Sequence, residues 1–100
     1  MLQYSIRLLK IAEEDFTEII NYLSGVSPKA ANEIADKIES NLSLLSANPF
    51  MGRIPKDEDI KNLNYRYIVV DNYIIFYTVK GKTVYIHRIF HGARDYKSLL

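Results

Sequence analysis

An α+β fold, with a helix hairpin packed on one face of a mainly antiparallel four-stranded sheet, is predicted by three features of this 100-residue chain. The first is a period-two alternation near the N-terminus. The second is a pair of adjacent apolar stripes at helical spacing, separated by only a few residues. The third is a set of three apolar runs near the C-terminus, divided by turn-sized polar interruptions.

The opening segment sets Leu2, Tyr4, Ile6 and Leu8 against Gln3, Ser5 and Arg7, as expected of a strand with one solvated face. The period then changes. Ala12, Phe16, Ile19, Ile20 and Leu23 fall on one side of a helix. Glu13, Glu14 and Asp15 are placed in its first turn, where carboxylates complement unpaired amides. Gly25 is the expected left-handed stop. Ser27-Pro28 opens the second helix, the hydroxyl serving as cap and the proline occupying a position that needs no N–H. Its stripe is Ala31, Ile34, Ala35, Ile38, Leu42 and Leu45, and Asn48-Pro49 ends it. From Pro28 to Ala47 this helix spans about 30 Å. The short connection makes the two helices an antiparallel hairpin.

Residues 50–62 read as a loop, with Pro55, Gly52 and mixed charge. Three strands follow, Leu63 to Val70, Tyr73 to Val79 and Thr83 to Phe90, joined by Asp71-Asn72 and by Lys80-Gly81-Lys82 at hairpin distance. The first strand is expected to join this meander as its fourth member. Tyr96 to Leu100 is read as a short terminal helix. All of this fits one domain over residues 1–100, since a chain of this size holds a single core.

Composition is ordinary for a globular protein, with 48% hydrophobic and 25% charged residues. No apolar run approaches the roughly 18 residues of a membrane span, so no membrane association is expected. The N-terminus lacks the charge and apolar pattern of a signal peptide. The sequence has no cysteine, which removes disulfides and thiolate metal sites and fits a cytoplasmic protein. Net charge is +1, but it divides into −3 over residues 1–50 and +4 over residues 51–100. The basic half suits an acidic partner or a phosphate backbone as well as an ordinary solvated surface.

Polar residues within the apolar runs are the candidates for chemistry. Arg66 reads either as a cation stacked between tyrosines or as a phosphate or carboxylate clamp on the helix-free face. Arg88, between Ile86 and Phe90, is expected to pair with helix carboxylates. His87, in register with Tyr85 and Ile89, is expected to be packed or hydrogen-bonded. His87 and His91 would share a strand face about 13 Å apart, too far for one metal ion. His91, Arg94 and Tyr96 combine a proton carrier, a cation and a phenol, groups suited to metal-free RNA cleavage. Asp95 beside Arg94 is equally suited to a local salt bridge, and Tyr96 to packing under the terminal turn.

Taken in order, several segments together resemble the RelE/ParE superfamily, the toxin members of bacterial toxin–antitoxin pairs. They are Ala12-Glu13-Glu14-Asp15-Phe16, Ser27-Pro28-Lys29-Ala30-Ala31, Asn48-Pro49-Phe50-Met51-Gly52-Arg53, Tyr65-Arg66, Asp71-Asn72-Tyr73 and Arg88-Ile89-Phe90-His91-Gly92-Ala93-Arg94-Asp95. The resemblance covers nearly the whole chain. It implies a growth-inhibiting toxin, held inactive by a cognate antitoxin in a toxin–antitoxin hetero-oligomer, with no cofactor and no metal. It also implies one of two targets. RelE-like members enter the ribosomal A site and cut mRNA, whereas ParE-like members inhibit DNA gyrase. On the resemblance, Arg53, Arg66 and Arg94 are the target- or nucleic-acid-binding residues. His91, Arg94 and Tyr96 are the catalytic set if the chain is an endoribonuclease. Two positions that are basic in mRNA cutters are Ile68 and Ile74 here, overall charge is nearly neutral, and the ending Ile89-Phe90-His91-Gly92-Ala93-Arg94-Asp95 is closer to the ParE-like form. The expectation is therefore gyrase inhibition, with ribosome-dependent mRNA cleavage as the alternative.

Overall fold

The computed structural model describes residues 3–92. In chain order the elements are β1 (Ser5–Leu8), α1 (Lys10–Val26), α2 (Pro28–Ala47), α3 (Glu58–Lys61), β2 (Arg66–Val70), β3 (Tyr73–Lys80) and β4 (Thr83–His91). The strands form one sheet in the order β1-β4-β3-β2. The meander β2-β3-β4 is antiparallel, and β1 joins the outer side of β4 in parallel. The predicted architecture is thus observed, with the sheet mixed at one edge. The predicted terminal helix lies outside the described residues, as do Arg94, Asp95 and Tyr96.

β1 passes into α1 with almost no connection. Leu9 stands at the helix N-cap without a side-chain cap bond. Its amide instead donates to the Ile86 carbonyl, extending the β1–β4 ladder by one step. Because the helix begins at Lys10, only Glu13 of the three carboxylates predicted there lies in the first turn. Gly25 is not the stop either. It lies inside α1, and the break falls at Ser27, whose extended backbone (φ −161°) ends one helix and caps the next. As expected, the Ser27 hydroxyl accepts from the Ala30 amide at 3.3 Å. One extended residue turns the chain sharply enough that a glycine in left-handed geometry is unnecessary.

The stripes of α1 and α2 meet the sheet through Ala12, Ile38 and Leu45, all 0% exposed. Facing them are Ile68, Val70, Ile75, Tyr77, Val84, Ile86 and Ile89. Each fully buried Val, Leu or Ile contributes roughly 1.5–3 kcal/mol, so this one layer supplies most of the apolar stabilisation. At the hairpin turn, Asp71 adopts positive φ (54°), and Lys37 of α2 holds its carboxylate at 2.9 Å.

The opposite face of the sheet, which carries no helix of the hairpin, has a smaller aromatic layer. Phe76 and Phe90 lie 6.0 Å apart and are buried, with Tyr65 and Tyr67 packed on Phe76 at 6.3 and 5.7 Å.

The register of β4 breaks once. Tyr77 opposes Ile86 while Phe76 opposes Arg88, so His87 is an extra residue in a β-bulge. The bulge reverses the alternation beyond it. Val84 and Ile86 face the helices before it, and Ile89 faces them after it. His87 therefore shares a face with Tyr85 but not with Ile89, contrary to the simple alternation. It also does not share a face with His91, because the inserted residue turns the two imidazoles to opposite sides of the sheet.

The loop between α2 and β2 is more ordered than its composition suggested. Met51 donates to the Asn48 carbonyl, and Arg53 makes a two-bond antiparallel bridge with Tyr67 on the outer edge of β2. The single turn α3 is capped by Asp57, whose carboxylate accepts from the amides of Asp59 and Ile60 at 3.0 and 3.3 Å.

Candidate functional site

Among the described residues, the predicted site residues Arg53 and Arg66 lie at one end of the sheet and His91 at the other. Arg66 opposes Tyr77 and stands two residues before Ile68, so it lies on the helix-side face of the sheet, not the helix-free one. Its guanidinium lies over the ring of Phe50 at 5.3 Å, not between tyrosines. One guanidinium nitrogen donates to the carbonyls of Phe50 and Gly52 at 3.3 and 3.1 Å. The clamp expected for a ligand is thus partly used in closing the loop. Arg53, next door through its bridge to Tyr67, borders a separate cleft of about 460 Å³ with Met51, Ile68 and Val69.

His91 lies at the other end of the sheet. It opposes Tyr73, while Arg66 opposes Tyr77, a separation of about 13 Å along β3. The imidazole is exposed and stands edge-on to Tyr73, with ring centroids 5.7 Å apart. Together with Glu18, Ile19, Tyr22 and Ile89 it lines a groove of about 250 Å³ between α1 and the end of β4.

Arg88 behaves as its position in the strand predicted. Beyond Leu8, β1 no longer covers β4, and the first turns of α1 take its place. Asp15 accepts from Arg88 through both carboxylate oxygens, at 2.8 and 2.9 Å, and from the Ile89 amide at 3.0 Å. It thereby satisfies a strand-edge amide and a charged side chain together. Its hydrogen bond to Asp15 raises the Arg88 pKa further, so the guanidinium stays charged. Arg88 also lies 4.5 Å over the ring of Phe90.

His87, at the bulge, is hydrogen-bonded on both nitrogens. Thr78 lies 2.9 Å from Nε2 and the Tyr65 hydroxyl 3.3 Å from Nδ1, with the Tyr65 ring edge-on at 4.9 Å. Burial pushes the imidazole below its ordinary value of 6.5, and burial likewise raises the Tyr65 phenol. The packed or hydrogen-bonded role expected of His87 is therefore the observed one. A depressed folded-state pKa means that the unfolded chain takes up this proton first as pH falls. The contribution of neutral His87 is complete above 6.5, is lost as pH drops through the folded value, and levels off below it. His87→Gln should flatten that slope in denaturation curves collected between about pH 5 and 7.5. Parallel slopes in the two proteins would refute the assignment.

Sequence reasoning missed Asp15 as the partner of Arg88 and missed the Tyr65–His87–Thr78 group. The first had a signal, a carboxylate within the apolar stripe beside Phe16. The second had none, because it depends on the bulge.

Comparisons agree with this architecture. The family model for the ParE toxin of the type II toxin–antitoxin system parDE matches residues 6–96. A structure from the chromosomal ParDE toxin–antitoxin system of P. aeruginosa superposes with a TM-score of 0.71 at 22% identity, covering 91% of this chain and 98% of that one. The RelBE2 toxin–antitoxin complex of Mycobacterium tuberculosis gives 0.63 at 21% identity, covering 89% and 98%. A conserved hypothetical protein of Helicobacter pylori gives 0.56 at 20% identity, covering 86% and 91%. No curated protein matches by sequence. The helix hairpin on a four-stranded mixed sheet is the fold of the RelE/ParE toxins. Within that superfamily, the chain belongs to the ParE toxin family of type II toxin–antitoxin systems.

Proposed function

We propose that this toxin acts on DNA gyrase and is neutralised by a cognate antitoxin, with which it forms a hetero-oligomer. What supports gyrase inhibition over mRNA cleavage is the match to the family model of the ParE toxin over residues 6–96. Of the candidate catalytic set His91, Arg94 and Tyr96, only His91 lies among the described residues. A metal-free nuclease needs a base, an acid and a charge stabiliser around one phosphate. Among the described residues, His91 is at one end of the sheet and Arg66, one of whose nitrogens bonds loop carbonyls, lies towards the other. His87 between them is enclosed by Thr78 and Tyr65. An inhibitor that works by binding needs no such convergence. It needs contact surface, which exposed Tyr22, Val26, Leu44, Met51 and Val69 offer to both the target and an antitoxin.

Purified protein should inhibit gyrase supercoiling of relaxed plasmid, and addition of the antitoxin should restore it. Full supercoiling at saturating toxin would overturn the gyrase assignment. New mRNA 5′ ends after induction, abolished by joint loss of His91 and Arg94, would replace it with ribosome-dependent cleavage.

A further inference from the structure

The connection between α2 and β2 does more than cross an edge of the domain. With the start of β2 and the end of β3, it encloses a cleft of about 360 Å³. That volume lies near the lower end of the roughly 300–1,000 Å³ of small-ligand sites.

Two cations, Lys61 and Arg66, line this cleft, and no carboxylate does. Among the described residues neither cation makes an ion pair, although the same chain pairs Lys37 with Asp71 and Arg88 with Asp15. Arg66 gives only one guanidinium nitrogen to backbone carbonyls, which leaves donor capacity for an anion. Its contacts with Phe50 and Gly52 hold the planar group in place, lowering the ordering cost of using it. Beside these charges stand Phe50 and Ile54, 57% and 51% exposed, with Tyr65. The Asn64 amide adds a donor and an acceptor. Two cations call for a phosphate, the exposed Phe50 ring for a planar apolar group, and an amide for a polar ring edge.

We propose that this cleft binds a mononucleotide, its phosphate held by Lys61 and Arg66 and its base set against the exposed ring of Phe50. The lack of lining carboxylates fits the charge of such a ligand, and the ring-bearing wall favours it over an acidic peptide. The volume seats one nucleotide, not a run of them. The proposal is independent of the gyrase assignment, so failure in a supercoiling assay leaves it standing.

The test is titration of the full-length protein with AMP, adenosine, inorganic phosphate, a short single-stranded oligonucleotide and an acidic peptide, followed through backbone amide resonances. AMP should shift Lys61, Asn64, Tyr65 and Arg66 saturably and bind more tightly than adenosine or phosphate alone. Lys61 is exposed, so Lys61→Glu leaves the fold intact and should weaken AMP about tenfold, the worth of one charge-assisted contact, with adenosine unchanged. Phe50→Leu should weaken AMP and adenosine by the same factor. Absence of saturation by about 10 mM AMP, a range below any useful affinity, would overturn the proposal. So would unchanged AMP affinity in Lys61→Glu, or tighter binding of the oligonucleotide or the acidic peptide than of AMP.

Discussion

Asp15→Ala should destabilise the protein by about 3–5 kcal/mol, the cost of removing one member of a buried ion pair. A domain of this size has roughly 5–15 kcal/mol in total, so the variant should sit close to its unfolding threshold. The Asp15 and Arg88 side chains are only 10% and 13% exposed, and water cannot readily replace the lost carboxylate. The same substitution removes the acceptor of the Ile89 amide on the part of β4 that β1 does not reach. Arg88 and the Ile89 amide both lose this acceptor, and α1 loses its polar anchor to the sheet edge. Urea denaturation measures the loss directly. A second substitution separates the ion pair from the amide. If the buried charge dominates, Asp15→Ala with Arg88→Met should recover part of the stability, with a coupling of at least about 1 kcal/mol. A loss below about 1 kcal/mol in the single variant, within the range of an exposed ion pair, would show that water reaches the site.

That anchor also marks where local reading of the sequence stops. Both long helices were legible because their information is local. Ser27-Pro28 and Asn48-Pro49 bound α2, and Ile38 and Leu45 fall on its buried face. The hairpin turns at Asp71 and Gly81 were legible for the same reason, since each takes positive φ at a residue that tolerates it. Arg88 was readable as a cation in need of a carboxylate. Which carboxylate, among the three at positions 13–15, depends on how α1 crosses the free edge of β4. Gly25 misled because glycine permits a stop without requiring one, and Ser27 made the turn with extended backbone. The bulge at His87 left no trace in a single strand, because it is a mismatch between β3 and β4. With it went the relation between the two histidines and the enclosure of His87. Arg53 and Arg66 were identified, on the resemblance, as target- or nucleic-acid-binding residues. Their joint role in closing the loop depends on Gly52, which the sequence presents only as a turn residue.

Gly52→Ala should therefore cost about 3 kcal/mol, combining overpacking with a lost hydrogen bond. A Cβ at this position would collide with the Tyr77 hydroxyl and lie 2.7 Å from Cε1 of Tyr77 and 2.9 Å from the Tyr67 carbonyl oxygen. Neither neighbour can give way cheaply. The Tyr77 ring is fully buried in the core, and the Tyr67 carbonyl accepts the Arg53 amide in the edge bridge. The Gly52 amide donates to the Tyr77 hydroxyl at 2.9 Å, so moving the loop outward to relieve the clash also breaks this bond. Burial raises the Tyr77 phenol above its ordinary pKa, and it stays neutral and able to accept at working pH. The damage should spread to the acceptors that seat Arg66, because the Phe50 and Gly52 carbonyls move with the loop. Amide exchange should then speed up at Gly52, Arg53 and Tyr67 before it does in α1 or α2. Tyr77→Phe is the informative companion. It removes the acceptor without adding an atom and should cost about 1–2 kcal/mol, the penalty of one unsatisfied buried donor. Combining it with Gly52→Ala relieves the contact with the hydroxyl but not those with Cε1 and the Tyr67 carbonyl, so the pair should remain less stable than Tyr77→Phe alone. Equal stability of the double variant and Tyr77→Phe would mean that the loop absorbs the methyl group. The hydrogen bond alone, not the close approach of Gly52, would then secure the loop against the sheet.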